Sequence, residues 1–501
     1  MALEVLTPDE MAECDRRAIA AGPFDGLALM KRAGAAVADA VFSRLAGVTR
    51  VDVLCGPGNN GGDGYVAAEL LRRSGAAVAV FADGPPRAGS DAALAAAECT
   101  VAAEPLAAFS PMPGTIVVDA LFGAGLARAP DGNVRRAIDL TNQMGLPVVA
   151  VDLPSGVSGA TGQILGAAFR SAVTVTFVRP KPGHLLLPGK LACGEVVVAD
   201  IGIPDTIVAS VGAACFENRP ALWQRSLPSP GVDAHKYSRG HVAVFCGGAT
   251  ATGAARLSAM AAARAGAGAV TLLSPLEALA VNAAHLTSIM QRKADTVGEV
   301  LAFLAERRPA ALVYGPGLSP DAETARSLFR LLGRWEHPAP VVIDASALTA
   351  LARVPDLLPP PGGRPAELVI TPHEGEFQRL FPDISEEKVP SKLERARLAA
   401  KRIGGTIIYK GPDTVIATPD GRAAINTNGT PLLATAGSGD VLSGIVAGLL
   451  AQKMPAFEAA CAGVWMHAEA AKRFGPGLIA EDLPQALPPV LRDLHAPENL
   501  G

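Results

Sequence analysis

"GPGNNGGDG", residues 56–64, decides how the first half of this chain is read. It follows the apolar run "VDVLC" (51–55) and leads into "GYVAAELLRRSG" (64–75), whose spacing and closing Gly75 predict a helix. Strand, glycine-rich turn and helix in that order are the context of a phosphate-cradling loop. A further glycine, Gly62, follows Gly61 at the third glycine position, so a plain dinucleotide fingerprint fits poorly, and the loop has no P-loop lysine. Asn59, Asn60 and Asp63 instead set amides and a carboxylate among the glycines. Such a loop offers polar groups to something that approaches bare backbone closely.

Outward from that loop, "AVAVF" (77–81), "TIVVDALFG" (115–123), "PVVAVDLPSG" (147–156) and "AVTVTFV" (172–178) read as buried parallel strands. Ala-rich helical stretches separate them. The alternation predicts a Rossmann-like, doubly wound α/β sheet with its site beyond the carboxyl ends of the strands. Asp119 in "VVDALFGAG", and Asp152 with Ser155 in "VDLPSG", fall at such strand ends. Each carboxylate equally suits a turn cap. Lys181 and His184 in "KPGH" (181–184) read as structural members of a Pro/Gly turn.

Near 217–233, "ENRPALWQRSLPSPGVD" breaks the pattern with three prolines and no periodicity, which predicts a linker. The expected division is a first domain over 1–220, a linker over 221–233 and a second domain over 234–495. A second α/β series follows: "HVAVFCGG" (241–248), "AVTLLS" (269–274), "ALVYGPG" (311–317), "PVVIDASAL" (340–348), "ELVITPHEGE" (367–376) and "GTIIYKG" (405–411). "PPPGG" (359–363) reads as a local loop.

At 501 residues the prior is two to four domains, and 49% hydrophobic with 18% charged residues marks a globular chain. A net charge of -4 argues against a nucleic-acid footprint, and no apolar run is long enough to span a bilayer. Glu4, Asp9 and Glu10 stand where a signal peptide carries positive charge, so a cytoplasmic protein is expected. Seven scattered cysteines without a CxxC pair suit neither a disulfide framework nor a zinc site. Cys55 and Cys246 end apolar runs and read as buried small hydrophobes.

In "TAGSGD" (435–440), small residues precede a helical pattern, so the amides of Gly437, Ser438 and Gly439 can face an anion. Asp440 in the first turn can act as a base toward a nearby hydroxyl, or simply serve as a cap. "GPG" (315–317), "TPHEGE" (371–376) and "KGPDT" (410–414) also follow strand-like runs, where a parallel sheet places its ligand. His373 by itself suits a turn-capping histidine.

Taken with "HKYSRGHV" (235–242), "TGAARLSAMAAARAGAGAVTL" (252–272) and "KGPDTVI" (410–416), these motifs resemble the ADP-dependent NAD(P)H-hydrate dehydratase family over about 230–490. That resemblance implies a ribokinase-like α/β domain that uses ADP as phosphoryl donor with Mg²⁺. Ala254, Gly317, His373 and Asp440 match positions contacting the hydrate. Lys410, Gly411, Pro412, Asp413, Thr414 and Gly439 match positions contacting the nucleotide. The implied reaction phosphorylates the C6 hydroxyl and eliminates phosphate, with Asp440 as base. "DASAL" (344–348) departs from the pattern, since Ser346 stands where the family often has a second acid.

The first half resembles the NAD(P)H-hydrate epimerase family through "LMKRAG" (29–34), "GPGNNGGDGYVAA" (56–68), "DALFGAGL" (119–126) and "DLPSGV" (152–157), over residues 1 to about 215. The resemblance implies substrate contacts from Asn59, Asn60, Gly61, Gly62 and Asp63, and from Gly123, Ala124, Gly125, Leu126, Ala127, Arg128 and Ala129. Asp152 matches an acid–base position, and Asn60, Asp119 and Ser155 match potassium ligands. The implied partners are the small molecules NADHX, NADPHX and ADP, with no nucleic acid and no membrane, in a homo-oligomer of up to four chains. Two rivals stand beside this reading: a ribokinase-superfamily kinase of a vitamin precursor in the second half, and a binding module without turnover in the first.

Overall fold

The computed structural model describes residues 3–45, 50–336, 338–357 and 367–496. The expected loop at 359–363 lies outside the described residues. The chain divides into two compact units between Cys215 and Phe216.

In the first unit the strands are β1 (Arg50–Cys55), β2 (Ala77–Ala82), β3 (Ala103–Pro105), β4 (Ile116–Ala120), β5 (Val148–Val151), β6 (Val173–Phe177) and β7 (Glu195–Ala199). Their order is β3-β2-β1-β4-β5-β6-β7, all parallel. β4, β5 and β6 are buried along their whole length, which is why they read as runs of Val rather than alternating patterns. Helices cover both faces. Leu29, Met30, Val37 and Val41 pack with Tyr65 and Leu71 on one side, and Phe81, Phe109, Leu121, Ile138 and Phe169 fill the other. The order reverses between β1 and β4, so a crevice opens beyond their carboxyl ends.

The glycine-rich stretch departs from the expected loop. The helix begins at Asn59 with Gly58 as its N-cap, five residues before the expected start. Most of the run is therefore the first turns of a helix pressed onto strand ends. A Cβ on Gly61 would lie 1.8 Å from the Gly56 carbonyl oxygen, and one on Gly56 would lie 2.0 Å from the Leu121 carbonyl oxygen. Close backbone packing, in addition to any ligand, demands glycine here.

The second unit carries β8 (Cys215–Asn218), β9 (His241–Phe245), β10 (Ala269–Ser274), β11 (Met290–Lys293), β12 (Ala311–Tyr314), β13 (Val341–Ile343), β14 (Leu368–Ile370), β15 (Thr406–Tyr409), β16 (Val415–Ala417) and β17 (Ala423–Asn426). The sheet order is β11-β10-β9-β12-β13-β14-β15-β16-β17-β8, parallel from β11 through β15 and antiparallel from β15 to β17. This is an α/β domain, as expected.

Its core is built on small residues. Helix Gly253–Arg264 meets helix Ser438–Ala451 so closely that a Cβ on Gly444 would lie 2.1 Å from the Ser258 carbonyl oxygen. The Ala-rich composition thus lets two backbones touch, and that contact sets where "TAGSGD" stands.

The expected linker is corrected in its first half. Residues 215–218 form β8, Pro220–Trp223 form a helix and Gln224–Ser226 a 3₁₀ turn. Trp223 is buried in the second unit's core, and its Nε1 donates to Asn218 Oδ1 at 3.1 Å. The division between the compact units falls after Cys215, five residues before the expected end of the first domain. Prolines at 220, 228 and 230 disguise an ordered segment whose single tryptophan supplies the anchor.

Candidate active sites

The first unit holds a cavity of about 800 Å³ beyond the β1 and β4 ends. Such a volume suits a small-molecule ligand. Asn59, Asn60, Asp63, Gly123, Ala124, Gly125, Leu126, Ala127, Arg128 and Asp152 all line it. Gly61, Gly62 and Ala129 are not among the lining residues: Gly61 faces Gly56, and a Cβ on Gly62 would strike Met30 Sδ at 2.5 Å. Arg128 is exposed at this lining, a placement suited to a phosphate.

Asp152 follows β5 directly and has a left-handed backbone, φ 63°. A non-glycine residue held there is uncommon and marks a constrained site. The register Val151↔Val175 sets it beside Thr176, whose hydroxyl donates to Oδ1 at 3.0 Å. Lys181 Nζ pairs with the same Oδ1 at 2.8 Å, and the Ala124 amide donates to Oδ2 at 2.9 Å. Burial pushes the carboxyl up, but the Lys181 ammonium and these hydrogen bonds outweigh it and hold Asp152 at about 2. His184 Nε2 donates to the Asp152 carbonyl at 2.7 Å, while its Nδ1 accepts from the Lys181 amide at 2.9 Å. Burial lowers His184 to about 4, so the ring is neutral. Lys181 and His184 are therefore part of the centre, not merely of a turn. "KPGH" concealed this because its residues meet Asp152 only across the sheet.

Two further carboxyls face the same cavity. Asp63 is raised well above the usual carboxylate range by burial and by the Asp152 and Asp15 charges. Asp15, from helix Pro8–Ala21, rises to about 6 through burial, against the Lys181 charge. Nothing in the sequence around Asp15 sets it apart from a solvated helix face.

Below the crevice, Asp119 Oδ1 accepts from Ser155 Oγ at 2.6 Å and Oδ2 from the Ser155 amide at 2.6 Å. Ser155 Oγ also lies 3.2 Å from the Phe122 carbonyl oxygen. Burial raises Asp119 to about 6 against these bonds. The Asn60 Nδ2 atom is buried without a hydrogen-bond partner.

In the second unit, Lys410 follows β15 and pairs with Asp344 Oδ1 at 2.9 Å, while Ser443 donates to Oδ2 at 2.5 Å. A Cβ on Gly439 would lie 3.3 Å from Lys410 Nζ, so the "GSGD" turn rests directly on the ammonium. Ser258 Oγ donates to the Asp440 carbonyl at 2.8 Å, fixing the helix start. Burial and the Asp344 charge raise Asp440 to about 7, partly offset by Lys410. Asp344 is pulled low despite burial by Lys410 and Ser443. Ser346 begins the following helix, Ser346–Ala352, after Ala345 at φ 52°. The departure at 346 thus leaves the Asp344–Lys410 pair intact.

Gly317 is packed against Ala251 and Ala254, which brings two expected hydrate positions together. His373 caps helix Glu374–Leu380, with Nδ1 accepting from the Gly375 amide at 3.1 Å, and its side chain stays exposed. In the 410–414 loop, Thr414 Oγ1 donates to the Gly411 carbonyl at 2.7 Å and Asp413 pairs with Lys392 at 2.5 Å. Asp344, Glu376 and Ser443 were not singled out beforehand. They lie on separate elements and converge only when the sheet forms.

Residues 26–183 match the family described as YjeF-related protein N-terminus, and residues 242–488 the family described as NAD(P)H-hydrate dehydratase. The chain is 37% identical to the bifunctional NAD(P)H-hydrate repair enzyme Nnr of Moorella thermoacetica, over 98% of this chain and 97% of that one. It is 38% identical to the enzyme of the same name from Mycobacterium leprae, over 89% of each. A solved structure of an ADP/ATP-dependent NAD(P)H-hydrate dehydratase from Bacillus subtilis, co-crystallised with ATP and Mg²⁺, is 25% identical, with a TM-score of 0.49 over 56% of this chain and 98% of that one. With both halves matched and full-length relatives of that identity, the chain belongs to the bifunctional NAD(P)H-hydrate repair enzymes.

Proposed function

We propose that the first unit interconverts the R and S hydrates of NADH and NADPH at C6, and that the second dehydrates the S form at the expense of ADP. The observation that carries this reading is two separate acid–base centres, each at the carboxyl edge of its own parallel sheet: Asp152–Lys181 in one and Asp440 beside Lys410–Asp344 in the other.

In the dehydratase centre, Asp440 takes the proton of the C6 hydroxyl as that oxygen attacks the β-phosphorus of ADP, releasing AMP. Lys410 and the amides at Gly437 to Gly439 stabilise the charge on the transferring phosphoryl group. Phosphate then leaves from C6 with help from the ring nitrogen's electron pair, and the dihydronicotinamide is restored. The 410–414 loop and Gly439 hold the nucleotide, while Ala254, Gly317 and His373 bound the hydrate. Among the described residues there is no group of three or more His, Cys, Asp or Glu side chains placed to hold a metal. Mg²⁺ bound to the nucleotide's phosphates would supply charge neutralisation there.

In the epimerase centre, Asp152 is the ionised base, and Asp63, raised well above the usual carboxylate range, is the neighbour able to give a proton to the departing oxygen or ring nitrogen. The Asn59–Asp63 and Gly123–Ala129 segments bound the dinucleotide. Asn60, Asp119 and Ser155, with the Phe122 carbonyl, form an oxygen-rich set with one carboxylate, which fits a large monovalent cation. A fully buried Asp119 agrees with a K⁺ that would supply the missing counter-charge. No helix among the described residues is long and apolar enough to cross a membrane; a cytoplasmic setting and a homo-oligomeric assembly are part of the proposal.

The test mixes the full chain with both hydrate epimers, ADP, Mg²⁺ and K⁺, and follows NADH absorbance. Near-complete recovery is expected, falling to the S fraction alone in Asp152→Asn. Accumulation of a phosphorylated product without NADH would instead favour the kinase reading.

A further inference from the structure

Beneath the epimerase cavity lies a network whose job is to hold one carboxylate. Asp152 has a backbone conformation that a non-glycine residue adopts only when its surroundings enforce it, φ 63°. Three contacts enforce it. Lys181 Nζ lies 2.8 Å from Oδ1 and also donates to Thr176 Oγ1 at 2.9 Å. Thr176 Oγ1 in turn donates to the same Oδ1. His184 ties the Asp152 carbonyl to the Lys181 amide through its two ring nitrogens. Lys181 is 1% exposed and His184 1% exposed. A buried ammonium and imidazole at these positions are poorly explained by turn formation, for which an apolar or small residue would serve.

We propose that Lys181 and His184 are positioning residues of the epimerase centre, Lys181 orienting and charge-compensating the Asp152 carboxylate and His184 holding its left-handed backbone so that the carboxylate faces the cavity. This inference rests on reading that cavity as the epimerase site. Lys181 acts on Asp152 as a fixed cation, so its loss would leave the carboxylate buried with Thr176 and the Ala124 amide as its remaining partners among those named. His184 acts one bond further back, so its loss loosens the residue without removing the charge.

The full chain provides its own control, because S hydrate is consumed at the dehydratase rate and R hydrate only as fast as it is epimerised. Lys181→Met is expected to slow the R phase by about a hundredfold or more in kcat, with KM within about threefold, and to leave the S phase unchanged. Lys181→Ala should regain part of that loss when methylammonium or ethylammonium is added, which a purely structural lysine would not do. His184→Ala should cost about tenfold or less, the size of one hydrogen bond. A wild-type R phase with an unaltered rate in Lys181→Met would overturn the inference, as would a loss in folded Lys181→Ala that no alkylammonium restores. A wild-type chain with an S phase but no R phase would instead overturn the reading of the cavity. Circular dichroism and thermal unfolding of each variant separate these outcomes from misfolding.

Discussion

Asp440 offers the sharpest test of the dehydratase mechanism, through pH. Its carboxyl is raised to about 7 by burial and by the Asp344 charge, and only the ionised form can accept the C6 hydroxyl proton. With a value of about 7, the ionised fraction is about nine tenths at pH 8 and about one tenth at pH 6. The kcat/KM for pure S hydrate should therefore fall about tenfold between those limits, with a slope approaching tenfold per pH unit below 6. NADH absorbance under saturating ADP and Mg²⁺ reports the rate, and the KM for ADP at each pH removes the nucleotide's own titration. Asp440→Asn should lose roughly two to four orders of magnitude and the pH slope together. A flat profile from pH 6 to 8, or the same slope surviving in Asp440→Asn, would refute the assignment.

The same shift has a thermodynamic side. The folded value lies above the unfolded 3.8, so the native state keeps a proton that the unfolded chain has already released. Stability from this group is present at low pH and is lost as pH rises through the window from 3.8 to about 7. The loss approaches an upper limit of roughly 4 kcal/mol above pH 7. Asp440→Asn should thus raise the unfolding midpoint of its unit at pH 8 and change it little near pH 4. A site tuned for catalysis at the expense of stability behaves this way.

Two more outcomes follow from packing and from the cation set. Gly61→Ala places a Cβ where the Gly56 carbonyl oxygen stands, so the helix must shift off β1; a loss of about 1–3 kcal/mol in the first unit's unfolding free energy, with epimerase activity reduced and dehydratase activity kept, is expected in denaturant titration. Replacing K⁺ by choline should slow the R phase and spare the S phase, and Asp119→Asn should raise the K⁺ needed for half-maximal epimerisation by at least about tenfold.

Much of this was legible along the chain because strands buried on both faces must be apolar throughout, and β1, β4, β5, β6, β9 and β10 announce themselves that way. The acids at strand ends, Asp119 and Asp152, and the "TAGSGD" helix start, were legible for the same reason: a parallel sheet puts its chemistry just past its apolar runs. Short or exposed strands such as β3, β7 and β11 carry no such signal, with exposed residues along much of their length. The supposed linker misled because prolines suggest irregular chain, while the burial of Trp223 depends on distant partners such as Trp465 in the helix Ala456–Phe474.

Local spacing determined the two α/β units, the order of their motifs and the residues that can meet a ligand, since those depend on neighbours a few positions apart. Which charges face one another was decided only in three dimensions. Lys181 reaches Asp152 from the turn after β6, Asp344 meets Lys410 across 66 residues, and Asp15 joins the cavity from the first helix. Proton affinities follow from burial and from the nearest charge, and neither exists until the sheet has brought distant segments to the same edge.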